Sequence, residues 1–419
     1  MKEKKVIVIG AGIIGLCSAY YLHKKGHDVT IIDAGDGTDN CSYGNAGYFC
    51  PSHIIPLASP GIISQGLKWM LDSQSPFYIK PRLNKDLISW GLKFNRSATK
   101  TAVAQAAPLL HELSMTSKLL VEDILFRENI DAGYKKSGLL MLCKTAKELN
   151  HEIETAKLAR SLGQDAQEIS TTEAEKLNPG LNLDIEGAVY FKNDTCFTPQ
   201  LFMKSFSKKL QSKGVKIILN KKVSHFGLHG ETINYVSVDQ EQFEADEFVV
   251  AAGSWTQELL KQLKLNIPMQ GGKGYSFMIS NAPVQPQTPA ILTEGRVAMT
   301  PMVDGLRFAG TMEINGLNHD IKSDRILGIK KTIMDFFPQF KEINFSEIKP
   351  WAGLRPCSPD GLPYVGKTNK YNNLTVAAGH AMLGITLGPI TGKLVSEIIS
   401  QKSPSIGIAK LAVDRYNRN

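Results

Sequence analysis

Cysteine is scarce and unpatterned in this chain: Cys17, Cys41, Cys50, Cys143, Cys196 and Cys357 are scattered over 419 residues. There is no CxxC pair and no histidine spacing that would build a zinc site, which excludes a disulfide-stapled or metal-organised fold. The thiols are expected to be reduced, as suits a cytoplasmic compartment. No apolar run approaches the ~20 residues needed to span a bilayer, so no transmembrane segment is expected. There is also no repeat at a period of about 20–50 residues and no low-complexity linker. The lysines of MKEKKVIVIG precede an apolar stretch as in a leader peptide. That stretch ends at once in a glycine turn and lacks a small-residue cleavage site, so it reads as the first strand of the fold and the expected location is inside the cell. Charge of one sign is not concentrated either. The net charge is +8, but the basic residues are spread out, and no RNA-binding or helix-turn-helix pattern accompanies them. No nucleic-acid partner is expected.

What is present is a globular composition, 42% hydrophobic and 21% charged, long enough for roughly two to three domain equivalents. The most informative segment is VIVIGAGIIGLCSAYYLHKKGHDVTIID. It reads as strand, glycine turn, helix and second strand, which is the context that makes a GxGxxG spacing meaningful. Gly10 permits the tight turn, Gly12 lets the backbone approach a pyrophosphate, and Gly15 lets helix pack on strand. The helix N-terminus offers free N–H groups to phosphate. Asp33, at the end of the second strand, is placed to accept ribose hydroxyls, which favours FAD or NAD over NADP.

After this unit comes CSYGNAGYFCPSHIIPLASPG, too irregular for a helix and too apolar for a disordered linker, hence a packed loop. Leucine periodicity predicts a helix over 105–130. A strand is expected at 137–144, an amphipathic helix at 146–163 and a short helix in TTEAEKLNPGL capped by its Thr-x-x-Glu spacing. Strands follow at 221–226, 233–238 and 243–251, short strands between 270 and 320, and a last helix after Pro389. The pattern implies an α/β fold in which a nucleotide-binding domain is interrupted by a second, sheet-based domain.

Two further segments bear on chemistry. FVVAAGSW puts Ala251, Ala252 and Gly253 at the end of a buried strand, where α/β sheets bind ligands or simply pack closely. In WAGLRPCSPDG, Arg355 sits in a stretch expected to be buried, so its guanidinium needs an anion: a substrate carboxylate or an internal Asp or Glu. Downstream, GHAMLGITLGPITG presents a second helix N-terminus able to stabilise negative charge on a ring.

Taken in order, GAGIIG with Asp33, SYGNAG, AAGSW, GGKGYS, WAGLRPCSPDG and GHAMLGITLGPITG resemble the D-amino acid oxidase superfamily of flavoproteins. Within it the chain is most similar to bacterial D-amino acid dehydrogenases, with glycine oxidase and D-hydroxyproline dehydrogenase close by. The resemblance spans almost the whole chain. It implies bound FAD, a Rossmann-like FAD-binding domain interleaved with a β-sheet-based substrate domain, and oxidation of an amine α to a carboxylate. The expected partition is 1–80, 146–258 and 351–419 for the FAD domain, and 81–145 and 259–350 for the substrate domain.

Matched by motif, Gly10, Gly12, Ile13, Ile14, Gly15 and Asp33 would hold the ADP half of FAD. Ser42, Asn45, Ala46 and Gly47 would lie along the ribityl chain and ring. Val223 would touch adenine through its backbone, with Ala252 and Gly253 closing that pocket. Gly384, Ile385 and Thr386 would face the pyrimidine end of the ring, with Gly353 and Gly379 also at the cofactor. Arg355 would grip the substrate carboxylate, while Tyr275 and Met312 would line the substrate pocket.

The chain also departs from the family pattern. Met382 stands where glycine oxidase has a basic residue, and RVAMTP lacks the aromatic that other members carry before the proline. Selectivity must then come from elsewhere, and His53 is a candidate. Cys357 sits too close to Arg355 for a covalent flavin link, so FAD is expected to be non-covalent. Residues 61–100 interleave Trp69, Phe77, Tyr78, Trp90 and Phe94 with lysines and arginines. This suits either a peripheral membrane contact, with a respiratory quinone as acceptor, or helices packed on the substrate domain. The expected activity is D-amino acid dehydrogenation to imines and 2-oxo acids. D-proline or 4-hydroxy-D-proline oxidation, a glycine or sarcosine oxidase, and a membrane-docking flavin module without turnover are the alternatives.

Overall fold

The computed structural model describes residues 2–417. Lys5–Ile9, Asp28–Ile32, Lys216–Ile218, Glu247–Val250 and Leu374–Ala378 form a parallel sheet, with Tyr364–Lys367 antiparallel at one edge. The central strand Lys5–Ile9 is apolar at four successive positions because helices or sheets cover both faces. On one face lie the first helix Ile13–Lys24 and the last helix Gly384–Ile399, backed by the long helix Lys100–Glu128. On the other lies a three-stranded sheet, Val223–His229, Thr232–Val238 and Glu241–Glu244.

The second layer system is a nine-stranded mixed sheet. Its path runs Trp351–Cys357, Gln270–Ile279, Gly305–Ile314, Val297–Met302, Ala290–Leu292, Leu139–Cys143, Gly187–Phe191, Ala166–Ile169, with Phe77–Ile79 added beside Gly305–Ile314. Helix Ser323–Phe336 and its neighbours close one face with a phenylalanine-rich core.

The expected partition needs correction. Strands 166–169 and 187–191, expected in the FAD domain, are hydrogen-bonded into the large sheet, as are 77–79 and 351–357. Conversely helix 100–128, expected in the substrate domain, packs its leucines on the first and last helices. A linear boundary fails because the chain crosses between the two layer systems repeatedly.

Local expectations also shift. The strands between 270 and 320 include two ten-residue ones rather than only short pieces. The 243–251 strand is broken into two, and the short helix is capped by Ser170 with Glu173 in a reciprocal capping box, upstream of the expected threonine. The last helix begins at Gly384, not after Pro389. The proline is accommodated because the first turns are fastened sideways, the Ile390 N–H donating to Ser117 Oγ at 3.1 Å. With its 3₁₀ lead-in this segment, Ala381–Ile399, is long and apolar enough to cross a membrane. In this fold it is a core helix, 72% of that window being buried. It crosses the first helix so closely that a Cβ on Gly392 would stand 2.3 Å from the Cys17 backbone.

Candidate active site

Where the two sheets meet, a cavity of about 2090 Å³ runs from the first glycine turn to the large sheet. At one end Gly10 has φ +114°, and a Cβ there would stand 2.4 Å from the Ala251 carbonyl oxygen. Only glycine allows that turn. Asp33 Oδ2 accepts the Ala11 N–H at 2.6 Å and Oδ1 accepts that of Gly35 at 2.7 Å. This fixes the carboxylate at the cavity wall, with lone pairs left for further donors. Ile13, Ile14, Val223 and Ala252 border the same end.

The 42–47 loop is held by three strand residues of the large sheet. Arg307 Nη1 donates to the carbonyls of Tyr43 and Asn45, both at 2.8 Å. Ser276 Oγ donates to the Gly44 carbonyl at 3.0 Å, and Thr300 Oγ1 to that of Ala46 at 2.7 Å. Burial pulls the Arg307 guanidinium down to about 10. Ser42, Asn45 and Ala46 therefore reach the cavity on a backbone clamped from behind, and Ser42 Oγ accepts the Ile13 N–H at 3.1 Å.

Near the large sheet, Arg355 is half-buried, and no carboxylate among the described residues pairs with it. Its Nη1 donates to the Thr311 carbonyl at 2.6 Å. Burial lowers its pKa, with only the Cys357 and Cys41 thiols acting the other way. Of the two anions left open by the sequence, an internal Asp or Glu is thus eliminated. The guanidinium lies over Gly274, where a Cβ would come within 2.1 Å of Nη1. Met312 lies over Gly272 in the same way, its Sδ 2.2 Å from a Cβ there. Met312 belongs to an apolar cluster with Trp90 and Cys357, and Trp90 Nε1 donates to the Cys357 carbonyl at 2.9 Å.

Tyr275 differs from the sequence expectation. It borders the cavity, but alternation along its strand sends its side chain to the face opposite Gly274. There its hydroxyl donates to Glu313 Oε2 at 2.6 Å, beside the fully buried Lys273 and with Lys322 also paired to Glu313. The phenol is part of a charged core network. Gly15, Gly47 and Gly379, expected at the cofactor, do not border the cavity. A Cβ on Gly15 would stand 1.8 Å from the Gly10 carbonyl oxygen, on Gly47 2.3 Å from that of Phe197, and on Gly379 2.8 Å from the Tyr364 ring. They shape the wall from behind.

Gly384, Ile385 and Thr386 form the start of the last helix at the cavity, with no side chain capping it. Thr386 Oγ1 donates to the Tyr48 carbonyl at 3.0 Å and accepts the Cys50 N–H at 3.3 Å. His53 borders the cavity beside this point and belongs to a cluster that sequence reasoning missed. Ser52 Oγ donates to Asp194 Oδ2 and lies 3.2 Å from His53 Nδ1.

An FAD fits what is present. Gly253 and Gly384 border the cavity, yet a Cβ on either would meet nothing within 4 Å, and on Gly12 only Ser42 Oγ at 3.5 Å. The missing methyls leave this part of the cavity wall open, with room for a ligand to approach the backbone. Two cavity residues also keep a buried polar atom without a partner among the described residues, Ser254 Oγ and His380 Nδ1. Gly353 borders the cavity beside Trp351, whose indole would lie 2.1 Å from a Cβ at that glycine.

A dinucleotide turn and two helix N-termini around one cavity are the frame of a flavin-dependent oxidoreductase. The family model for DAO, described as FAD dependent oxidoreductase, matches residues 5–398, and the chain belongs to this family. It is 32% identical over 419 residues to a D-amino acid dehydrogenase of Vibrio atlanticus (strain LGP32), covering 98% of this chain and 100% of that protein. A D-amino acid dehydrogenase of Helicobacter pylori is also 32% identical, over 397 residues, with 94% and 95% covered. The crystal structure of glycine oxidase from Geobacillus kaustophilus has the same fold, with a TM-score of 0.79, 22% identity and 99% of both chains covered. FAD is the cofactor, and the interleaved two-domain α/β architecture is that of the family.

Proposed function

We propose that the chain oxidises D-amino acids to imines, which water converts to 2-oxo acids and ammonia. The observation behind this reading is Arg355: a half-buried guanidinium at the cavity with no carboxylate partner among the described residues. Bound FAD supplies the hydride acceptor. Arg355 pairs bidentately with the substrate carboxylate, and Met312 and Trp90 give the adjoining apolar wall. Fixing the carboxylate against that wall leaves one α-hydrogen directed at the ring, so chirality follows from geometry. The relatives named as D-amino acid dehydrogenases support the D-isomer.

The acceptor reading attaches to residues 61–100. Trp69, Phe77, Trp90 and Phe94, which suited either a membrane contact or packing on the substrate domain, line the cavity and pair with one another. Leucines take their place outside. Leu67, Leu71, Leu83, Ile88 and Leu92 are five of the thirteen large exposed hydrophobic side chains among the described residues, and they stand among Lys68, Lys80, Arg82 and Lys85. Apolar tips beside lysines suit an anionic lipid surface. On this reading the protein sits on the cytoplasmic face of the membrane and passes electrons to a quinone. Its six cysteines, all free, suit that compartment.

The test is anaerobic: the yellow holoprotein is mixed with D- and L-amino acids, glycine, sarcosine, D-proline and hydroxyproline isomers. Bleaching by D-isomers supports the reading, and bleaching only by glycine or sarcosine replaces it. Reoxidation in air-saturated buffer with and without a soluble quinone then identifies the acceptor. Peroxide formation at the full turnover rate would overturn the quinone assignment.

A further inference from the structure

The cluster beside the last helix has an order that the binding of flavin and carboxylate does not use. Asp194 is fully buried and its carboxylate accepts two donors from Ser52, the N–H at 3.1 Å and the hydroxyl, with the Cys50 thiol close by. Ser52, itself buried, then meets His53 Nδ1 at 3.2 Å. Because the Ser52 proton is committed to Asp194, Ser52 Oγ can only accept from His53, which places the imidazole proton on Nδ1. Nε2 is left as a lone pair. It makes no hydrogen bond to the described residues, and His53 borders the cavity that Arg355 shares. The cluster is anchored where the Cys50 N–H reaches Thr386 in the first turn of the last helix.

Amine oxidation creates a need for such a group. A bound amino acid enters with an ammonium, and hydride cannot leave the α-carbon until nitrogen has a lone pair to form the imine. We propose that His53, held and polarised by Ser52 and Asp194, takes that proton, so that the three residues act as a relay of acid–base catalysis. The inference rests on the amino acid oxidation proposed above. In the step, an ammonium N–H bond breaks and its electron pair stays on nitrogen. The proton binds His53 Nε2, and the resulting imidazolium is balanced through Ser52 by the Asp194 carboxylate. The neutral amine would then lose its α-hydride to oxidised FAD, the cofactor of the family and the acceptor in the proposed oxidation.

The same geometry makes the relay reversible in sense. Burial raises Asp194 to about 7, opposed by its bonds from Ser52, by the Cys50 thiol and by Lys118. Burial also keeps His53 neutral, with Glu152 opposing and Arg296 assisting, and His151 lies beside Glu152. When Asp194 takes a proton it becomes the donor to Ser52, Ser52 donates to His53 Nδ1, and the imidazole proton moves to Nε2. Nε2, the nitrogen without a partner among the described residues, changes from acceptor to donor, and the base is lost below about pH 7.

The experiment uses the FAD-loaded full chain labelled with ¹⁵N-histidine, with His53→Asn to assign the signal. The expected result is an Nδ1–H tautomer above neutral pH, exchange to Nε2–H below it, and no such exchange in Ser52→Ala or Asp194→Asn. Either variant alone suffices if the other fails to fold. A single tautomer in the native protein between about pH 5.5 and 8.5, or an exchange that Ser52→Ala leaves intact, overturns the relay. In the rate arm, anaerobic bleaching by D-proline and D-alanine slows about a hundredfold in His53→Asn. The native protein loses rate below neutral pH, whereas Ser52→Ala shows no such step. If no D-amino acid bleaches the native protein, the oxidation reading fails and the base role with it. Bleaching whose pH profile is unmoved in Ser52→Ala overturns the relay alone.

Discussion

Substituting Gly274→Ala tests the substrate grip without touching Arg355 itself. A methyl at that position would stand 2.1 Å from Nη1 and 2.4 Å from both Cζ and Nη2 of Arg355. Ordinary contacts are about 3.5–4.0 Å, so the guanidinium must retreat by more than ~1 Å. It is free to do so, because one hydrogen bond to the Thr311 carbonyl is what holds it among the described residues. The strand itself gains about 0.5–1 kcal/mol from Ala over Gly, so folding and FAD content are expected to hold. What is lost is the aligned charge-assisted pair with the carboxylate, worth about 1.5–3 kcal/mol. That corresponds to roughly a ten- to hundredfold rise in the D-alanine concentration giving half-maximal flavin reduction. The assay is anaerobic stopped-flow at the flavin band, with bound FAD measured after desalting. A half-saturating concentration within about twofold of the native value, with full FAD, would refute the placement of substrate over this glycine.

Three further outcomes follow from the same geometry. Gly384→Val fills space that no protein atom occupies; the FAD-free protein should melt no lower than the parent, while FAD affinity measured by fluorescence drops about tenfold or more. Arg307→Met frees the Tyr43 and Asn45 carbonyls; purified protein should retain less FAD, read from the ratio of flavin to protein absorbance, although the residue lies behind the site. His380, lowered by burial to about 3, stays neutral in the fold while the unfolded chain takes up a proton near pH 6.5, so its stability contribution is present above that pH and is lost as pH falls toward 3. The ceiling is about 5 kcal/mol, and melting scans of the native protein should fall more steeply between pH 6.5 and 4 than those of His380→Gln.

The nucleotide end of the site was legible because its signals are local: Gly10, Gly12, Gly15 and Asp33 lie within one strand–helix–strand unit. Arg355 was legible as a charge with no place in an apolar segment, but its partner was not, since excluding Asp and Glu requires the fold. Tyr275 shows a missed signal that was available. It follows Gly274 directly, and alternation alone separates their side chains. Asp194 gave no signal, being 142 residues from the serine it meets. The aromatic residues of 61–100 left two readings open, a membrane contact and inward packing, because composition says which residues are amphipathic but not which face the cavity takes.

Enantiomer selectivity tests the account most directly. The holoprotein is mixed anaerobically with the D- and L-forms of alanine and of proline, and the limiting rate of flavin bleaching is recorded for each, in the native protein and in Arg355→Met. The account predicts rapid bleaching by D-forms only and its collapse in the variant with FAD still bound. Bleaching by the L-forms, or by D-forms at an undiminished rate without Arg355, would contradict it.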